Sequence, residues 1–382
     1  MPHIMTSQEL RAWLRLSLEP DLGPVRGRAL LARFGLPEQI YAASPTALRS
    51  VIPKPLAQQL HLPLPAQQAQ RLEQALHWLD EPRHRLLTLA DADYPPALLD
   101  MPDPPLVLYA MGRLDLLRRP CLAMVGARGA TPGGMANAHQ FARRLAALGW
   151  TIVSGLAQGI DAAAHQGALS PGKRGGNTIA VLGTGMDKTY PSCHHALLQR
   201  IAAEGLVLSE LAPGTPVRRH HFPRRNRLVA GLAAGVLVVE AGRHSGALIT
   251  ARLAGEMGRD VLAIPGSIHS PLSRGCHALI RDGAALVETL EDIRAALAGQ
   301  WPAPGPLAGI TAEETRSGAE SSRRPENLLC RTVLANLGHD PLHPDALIAR
   351  SGLSARHVAT ALGRLEADGC VQRLDDGCYQ QV

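Results

Sequence analysis

From Cys121 onward the chain repeats one pattern: a short apolar run, a Gly-containing turn, then a stretch of helical character. The runs are CLAMVG (121–126), TIVSG (151–155), TIAVLG (178–183), LVLSE (206–210), GVLVVEA (235–241), VLAIPG (261–266) and ALVE (285–288). Helical stretches lie between them, at 134–148, 159–169, 194–204 and 246–257. A strand that is apolar along its whole length is covered on both faces, unlike the alternating strands of a half-wet sheet. Covered strands separated by helices build a doubly wound, mostly parallel sheet, a Rossmann-like α/β core. In that architecture ligands sit at the carboxyl ends of the strands. Most of the runs end in Gly or another small residue, which lets a ligand or a second backbone come close.

The flanks are different. Residues 8–48 read as helical, and LGPVRGRALLARFG (22–35) resembles a hairpin turn feeding a short helix. Such a turn can offer N–H groups to phosphate, but a packed helical turn is the simpler reading. Residues 51–66 carry four prolines and form a connection. The stretch 298–327 is rich in Pro, Gly, Ala, Ser and charge and reads as a linker. Three helices follow, the third N-capped by Ser354 and closed by Gly369, then a hairpin turning at DDG. Three helices and a terminal hairpin make a winged helix. The expected organisation is therefore a small helical N-terminal domain (1–80), the Rossmann-like core (81–297), a linker (298–325) and a winged-helix domain (326–382).

Several function classes are excluded by absence of their signals. No apolar run reaches the roughly 18–20 residues of a membrane span. The N-terminus, MPHIMTSQELRAWLRL, has no signal-peptide core, so a cytoplasmic protein without membrane insertion is expected. The six cysteines show no CxxC and the 16 histidines no HExxH, which predicts reduced thiols and no metal site. GALSPGKR (167–174) approaches a phosphate-binding P-loop, but Arg174 replaces the hydroxyl, and a helix precedes it where a strand should. VGARGATPGG (125–134) and VLGTGMD (181–187) are Gly-rich turns after strands, yet neither is GxGxxG. No catalytic Ser/His/Asp set or carboxylate pair can be assembled, so no enzyme activity and no cofactor are expected.

What remains is basic. The net charge is +6 with a pI near 9.2, and of 39 basic residues all but Lys54, Lys173 and Lys188 are arginine. The informative feature is local. HHFPRRNRLVAGL (220–232) and its approach place Arg218, Arg219, Arg224, Arg225 and Arg227 around Phe222, with no acid from Leu211 to Val239. Single-stranded DNA presents phosphates, which arginines neutralise, and unstacked bases, which an aromatic face holds at about 1–3 kcal/mol per base. Asn226 can bond a base edge or a phosphate. Further anion donors are expected at strand-to-helix junctions, where free N–H groups and the helix dipole favour negative charge. These are Arg128 in the first Gly turn, Ser154, Gly155 and Gly159 in SGLAQGIDAAAH (154–165), and Ser245 and Gly246 in SGALITA (245–251).

The segments SGLAQGIDAAAH, IAVLGTGMDKTYP, FPRRNRLVAGL, VVEAGRHSGALITARLA and VLAIPG follow one another in an order and spacing that resembles the DNA-processing protein A (DprA, or Smf) family. The likeness covers roughly 90–290 and includes YPPALLDMPDPPLVLYAMG (94–112) at the entry to the core. The resemblance implies a non-catalytic protein that binds single-stranded DNA, forms a homodimer through its core, and loads RecA recombinase onto incoming DNA during natural transformation. It also implies that Arg128 belongs to the family's first glycine turn and that Phe222, Arg225, Asn226 and Arg227 form its F-x-x-R-N-R motif. Arg219 lies where a basic residue is expected. Ala127 departs from the commoner Ser and removes one phosphate donor. Two other readings are separable. A nucleotide glycosidic-bond hydrolase would use Glu240 as its acid. A winged-helix regulator would read duplex DNA with Arg356, His357 and Arg364, against the opposing charges of Glu366 and Asp368.

Overall fold

The structure is a computed structural model that describes residues 5–172, 177–300, 328–338 and 341–381. Its centre is a nine-stranded sheet: β1 (His84–Thr88), β2 (Val107–Gly112), β3 (Cys121–Val125), β4 (Thr151–Ser154), β5 (Thr178–Val181), β6 (Leu206–Ser209), β7 (Gly235–Val238), β8 (Asp260–Ala263) and β9 (Ala285–Leu286), in the order β1-β2-β6-β5-β4-β3-β7-β8-β9. From β6 to β9 every pairing is parallel. The seven apolar runs thus become the parallel part of the sheet, and the doubly wound α/β reading holds.

The parallel strands are apolar along most of their length because alternate side chains enter different cores. Ala123, Val125, Val236 and Val238 pack on one face with Leu228, Val229 and Leu232 of the helix His221–Leu232. Leu122, Met124, Ile152 and Leu237 pack on the other with Ala138, Ala142 and Leu145 of the helix Pro132–Ala147. Each fully buried Leu or Val contributes roughly 1.5–3 kcal/mol, so neither face can turn to water.

Two strands were not anticipated. β1 pairs antiparallel with β2, and β2 antiparallel with β6, extending one edge. Their signal is masked by sequence context: β2 follows the Pro-rich segment PDPP, and β1 opens on His84 and Arg85. This edge is what the N-terminal helices cover. Trp13, Leu14, Leu30, Leu48 and Leu72 share a single cluster with Val107, Tyr109, Leu182 and Val207 of the sheet region. The segment 22–35 is a packed helix, Gly23–Phe34, with Gly27 and Leu30 buried.

At the other end, helices Leu328–Leu337, Pro344–Ser351 and Ala355–Ala367 pack on each other, and Val371–Arg373 pairs antiparallel with Tyr379–Gln381. This is the winged helix. Ser354 caps its third helix, and Gly352 closes the second in the left-handed conformation that glycine tolerates. The expected linker falls almost wholly outside the described residues, as do Lys173 and Arg174 of the P-loop-like segment. Among the described residues no helix is long and apolar enough to cross a membrane, and no three His, Cys, Asp or Glu side chains converge as a metal site would require.

The strand order positions the site. After β3 the chain winds outward through β4, β5 and β6, then returns to the other side of β3 as β7. The loops leaving β3 and β7 therefore diverge and open a crevice at the topological switch point.

Candidate nucleic-acid interface

A cleft of about 1160 Å³ occupies this crevice. The loop after β3 supplies Arg128, and the loop after β7 supplies Arg243, His244, Ser245 and Gly246. The N-terminal end of the helix His221–Leu232 supplies Phe222, Arg225 and Asn226, and Arg219 precedes it. Pro223 is accommodated there because first-turn N–H groups have no intrahelical acceptor. Phe222 and Asn226 are one helical turn apart and so share a face.

Phe222 is half-buried. Its ring lies 5.2 Å from that of Tyr190, tilted by 45°, and the Arg128 guanidinium stands 5.8 Å from its centroid. Arg128, Arg219, Arg243 and Arg274 are exposed around the cleft, and none has a carboxylate partner among the described residues. Neither Arg243 nor Arg274 was singled out in the sequence. They are far from the basic stretch in the chain and only the fold brings them to it. Tyr190 stands inside a quoted motif, but its pairing with Phe222 is likewise a tertiary fact.

The basic stretch itself divides. Arg227 is buried, its Nη2 2.6 Å from Glu210 Oε1 and its Nη1 3.3 Å from Asp103 Oδ1. Arg224 reaches the same Glu210 carboxylate at 2.9 Å. The gap in acids along the chain is thus filled from outside it, and the expectation that Arg227 faces a ligand is corrected: it does not line the cleft. Arg225 does line the cleft, at its floor, with only 6% of its surface exposed. Its Nη1 donates to Val181 O at 2.6 Å, at the end of β5. Burial pulls its pKa down to about 10, with Asp161 opposing the shift and Arg128 adding to it.

The junction after β4 also differs from expectation. Ser154 is fully buried and its hydroxyl donates to Met124 O at 2.7 Å, so it cannot meet a ligand. Several N–H groups at this junction already have partners: Gly155 N and Ala157 N donate to Asp161 Oδ2 at 3.1 and 3.2 Å, and Ile160 N donates to Ala127 O. An intrinsic carboxylate already answers the helix dipole there. The glycines serve packing. A Cβ on Gly155 would overlap the Arg225 guanidinium, and Gly159, at φ 72°, would drive one into Ala127 O. Asp161 is itself buried, which raises its pKa against the pull of Arg225 and the two backbone donors.

At the opposite wall, Ser245 caps the helix Gly246–Glu256 by accepting from Ala247 N. Gly246 is exposed, with open space where a Cβ would stand, and its carbonyl accepts a long 3.4 Å bond from Asn226 Nδ2. Glu240, the acid of the hydrolase alternative, is turned away. Its carboxylate accepts from Thr131 N at 2.9 Å and Thr131 Oγ1 at 2.6 Å, at the start of the helix Pro132–Ala147, and it is not among the cleft-lining residues.

Comparison with known proteins agrees with this architecture. Residues 85–298 match the model of the DNA recombination-mediator protein A family, and residues 317–377 match that of the DprA winged helix domain. Protein Smf of Synechocystis sp. is 36% identical over 99% of this chain and 100% of its own length. The X-ray structure of DNA processing protein A from Streptococcus pneumoniae superposes with a TM-score of 0.60 at 37% identity, covering 76% of this chain and 98% of that one. A Helicobacter pylori DNA processing protein A, solved to describe its single-stranded DNA binding mode, gives a TM-score of 0.52 at 31% identity over 58% of this chain and 98% of its own. With matched segments spanning both the sheet and the winged helix, the chain belongs to the DNA recombination-mediator protein A (DprA/Smf) family.

Proposed function

We propose that this protein binds single-stranded DNA in the switch-point cleft and acts as a recombination mediator without catalysing a reaction. The observation that carries the reading is the cleft itself: Arg128, Arg219, Arg243 and Arg274, free of carboxylate partners among the described residues, surround the half-exposed Phe222 ring. Exposed guanidinium groups take phosphates, and the ring takes an unstacked base. The Helicobacter relative's single-stranded DNA binding mode supports the same ligand here. Ser245, Gly246 and Asn226 complete the wall along which the backbone runs. A metal or nucleotide cofactor has no part in this scheme.

The reading extends to the biological task. A protein of this family in the cytoplasm would coat incoming single strands during natural transformation and deliver them to RecA recombinase, acting as a homodimer through the Rossmann-like core. The family's description as a recombination mediator supports that extension. The orientation of Glu240 toward Thr131 supports a binding protein over a hydrolase.

The test is a salt-titrated binding isotherm with fluorescent single- and double-stranded oligonucleotides of one sequence. Single strands are expected to bind more tightly, and Arg128→Ala and Arg219→Ala to weaken binding to every sequence. Equal affinity for both forms, unmoved by either substitution, would remove the cleft from the account. RecA delivery is read separately, as faster strand exchange on single strands covered by single-strand binding protein. Sedimentation equilibrium reads the dimer.

A further inference from the structure

Where the N-terminal domain meets the core, a second group of basic side chains lies outside the cleft. The helix Ala66–Leu79 is seated there by Leu72 and Ala75, which share a buried cluster with Met186 and Ala212. Its Gln74 side chain lies over Gly214, where an added Cβ would overlap Oε1. Arg71, three residues before Gln74, is on the same face of the helix. That face looks onto the segment entering the basic stretch. The His221 ring, buried and 4.5 Å from that of His220, marks the meeting point. Burial lowers the pKa of His221, and His220, Arg218, Arg224 and Arg71 lower it further. Arg71 and Arg218, from two domains, thus stand within electrostatic reach of one ring.

Arg71 is half-buried and Arg218 exposed, and neither has a carboxylate partner among the described residues. The acids on the same elements are engaged elsewhere. Glu73 holds Arg11 at 2.8 Å, Glu210 holds Arg224 at 2.9 Å, and Asp187 Oδ1 accepts from Gly214 N at 2.8 Å. Cations held together by a fold repel one another, and an anion placed among them relieves that repulsion. A phosphate suits guanidinium groups best, because two of its oxygens match the donor fork. Arg218 is the chain neighbour of Arg219 on the rim, yet it does not line the cleft. A strand whose phosphate rests on Arg219 therefore passes Arg218 as it leaves on that side.

We propose that Arg71 and Arg218 form a phosphate subsite across the seam between the N-terminal domain and the core, and that it takes a phosphodiester of the strand after it has left the cleft past Arg219. This rests on the single-stranded DNA reading above and extends it. The N-terminal domain thereby becomes part of the DNA-binding surface. Its contributing element is the helix Ala66–Leu79, in contrast to the hairpin-like segment 22–35, whose Gly27 is buried in packing. The subsite reads charge and no base, so it lengthens the footprint without adding sequence preference.

The experiment titrates the full-length protein, wild type and Arg71→Ala, with fluorescent oligothymidines of about 4 to 16 nucleotides, the span of common single-strand sites. On the shortest strands that bind, the two proteins are expected to be equal. On long strands Arg71→Ala is expected to bind about fivefold more weakly at 0.1 M salt relative to 1 M, with a log–log salt slope shallower by roughly 0.7. Arg71→Lys keeps the charge and should restore the slope. Arg71→Ala equal to wild type at every length overturns the subsite and leaves the cleft reading standing. Weakening by the same factor on the shortest strands also overturns it, because Arg71 would then act on the cleft itself. If wild type binds no strand of any length, the single-strand reading fails and the subsite with it. Should Arg71→Ala not fold, Arg218→Ala, at an exposed position, is read on the same series against the same outcomes.

Discussion

Arg219 and Arg227 lie eight positions apart in one basic stretch, and substitution of each to alanine should have opposite signatures. Arg219 is exposed at the cleft and has no carboxylate partner among the described residues. Its loss removes one phosphate contact, which makes the log–log salt slope of single-strand binding shallower by roughly 0.7. That corresponds to about a fivefold loss at 0.1 M salt relative to 1 M. Thermal stability should not move, since exposed unpaired side chains contribute little. Arg227 is the reverse. Its side chain is 7% exposed against a Glu210 that is 12% exposed, at 2.6 Å. Removing it leaves a buried carboxylate with only Arg224, itself 48% exposed, as a cationic partner. Breaking such a buried pair costs about 3–5 kcal/mol. The Asp103 contact adds less, because that carboxylate is 34% exposed and its attraction is screened. At roughly 2–4 °C per kcal/mol for a domain of about 200 residues, melting should fall by about 10 °C. The salt slope of the folded variant should match wild type. Differential scanning fluorimetry and anisotropy titrations from 50 to 400 mM salt, run on both variants, read the two signatures. A slope lowered in Arg227→Ala with melting unchanged, or the converse in Arg219→Ala, would refute the division of the basic stretch.

Three further outcomes are expected. Phe222→Ala should weaken single-strand binding by about 1–3 kcal/mol through lost stacking while leaving the salt slope as it is; a shallower slope would show that the ring instead positions a phosphate contact. His165 is fully buried, its Nδ1 2.7 Å from Thr178 Oγ1, and burial, with Arg225 and His194 adding, lowers its pKa to about 3 from 6.5. The unfolded chain therefore takes up a proton below pH 6.5 that the folded chain refuses. Stability is lost as the pH falls from 6.5 toward 3, by up to about 1.4 kcal/mol per unit, and denaturant titrations should find that share of the pH dependence missing in His165→Gln. Finally, DNA binding should persist in EDTA, because no metal is assigned to the cleft, and its abolition by chelation would overturn the assignment.

How far the molecule is legible in its sequence follows from which interactions are local. Both faces of the central parallel strands are covered, so their residues are mostly apolar, and the seven runs declared themselves. The winged helix was equally plain, because caps such as Ser354 and left-handed glycines such as Gly352 act within a turn or two. Phe222 and the rim arginines Arg128 and Arg219 could be nominated because an aromatic among cations has no apolar environment to enter. The antiparallel edge of β1 and β2 was hidden, since its pairing partners lie many residues away and prolines surround it. The fate of each charge was beyond the sequence altogether. Ion pairing depends on distances of a few ångströms, and Glu210 and Asp103 reach Arg227 only once the chain has crossed the sheet from β6 to β7. The fold likewise sinks Arg225 into the floor of the cleft and brings Arg243 and Arg274 to the rim. Local patterning determined the parallel strands, the helices between them and the winged helix, and it singled out one basic stretch around an aromatic residue. Tertiary structure alone decided which arginines of that stretch remain free of carboxylate partners, because a charge is neutralised by whatever the fold places next to it.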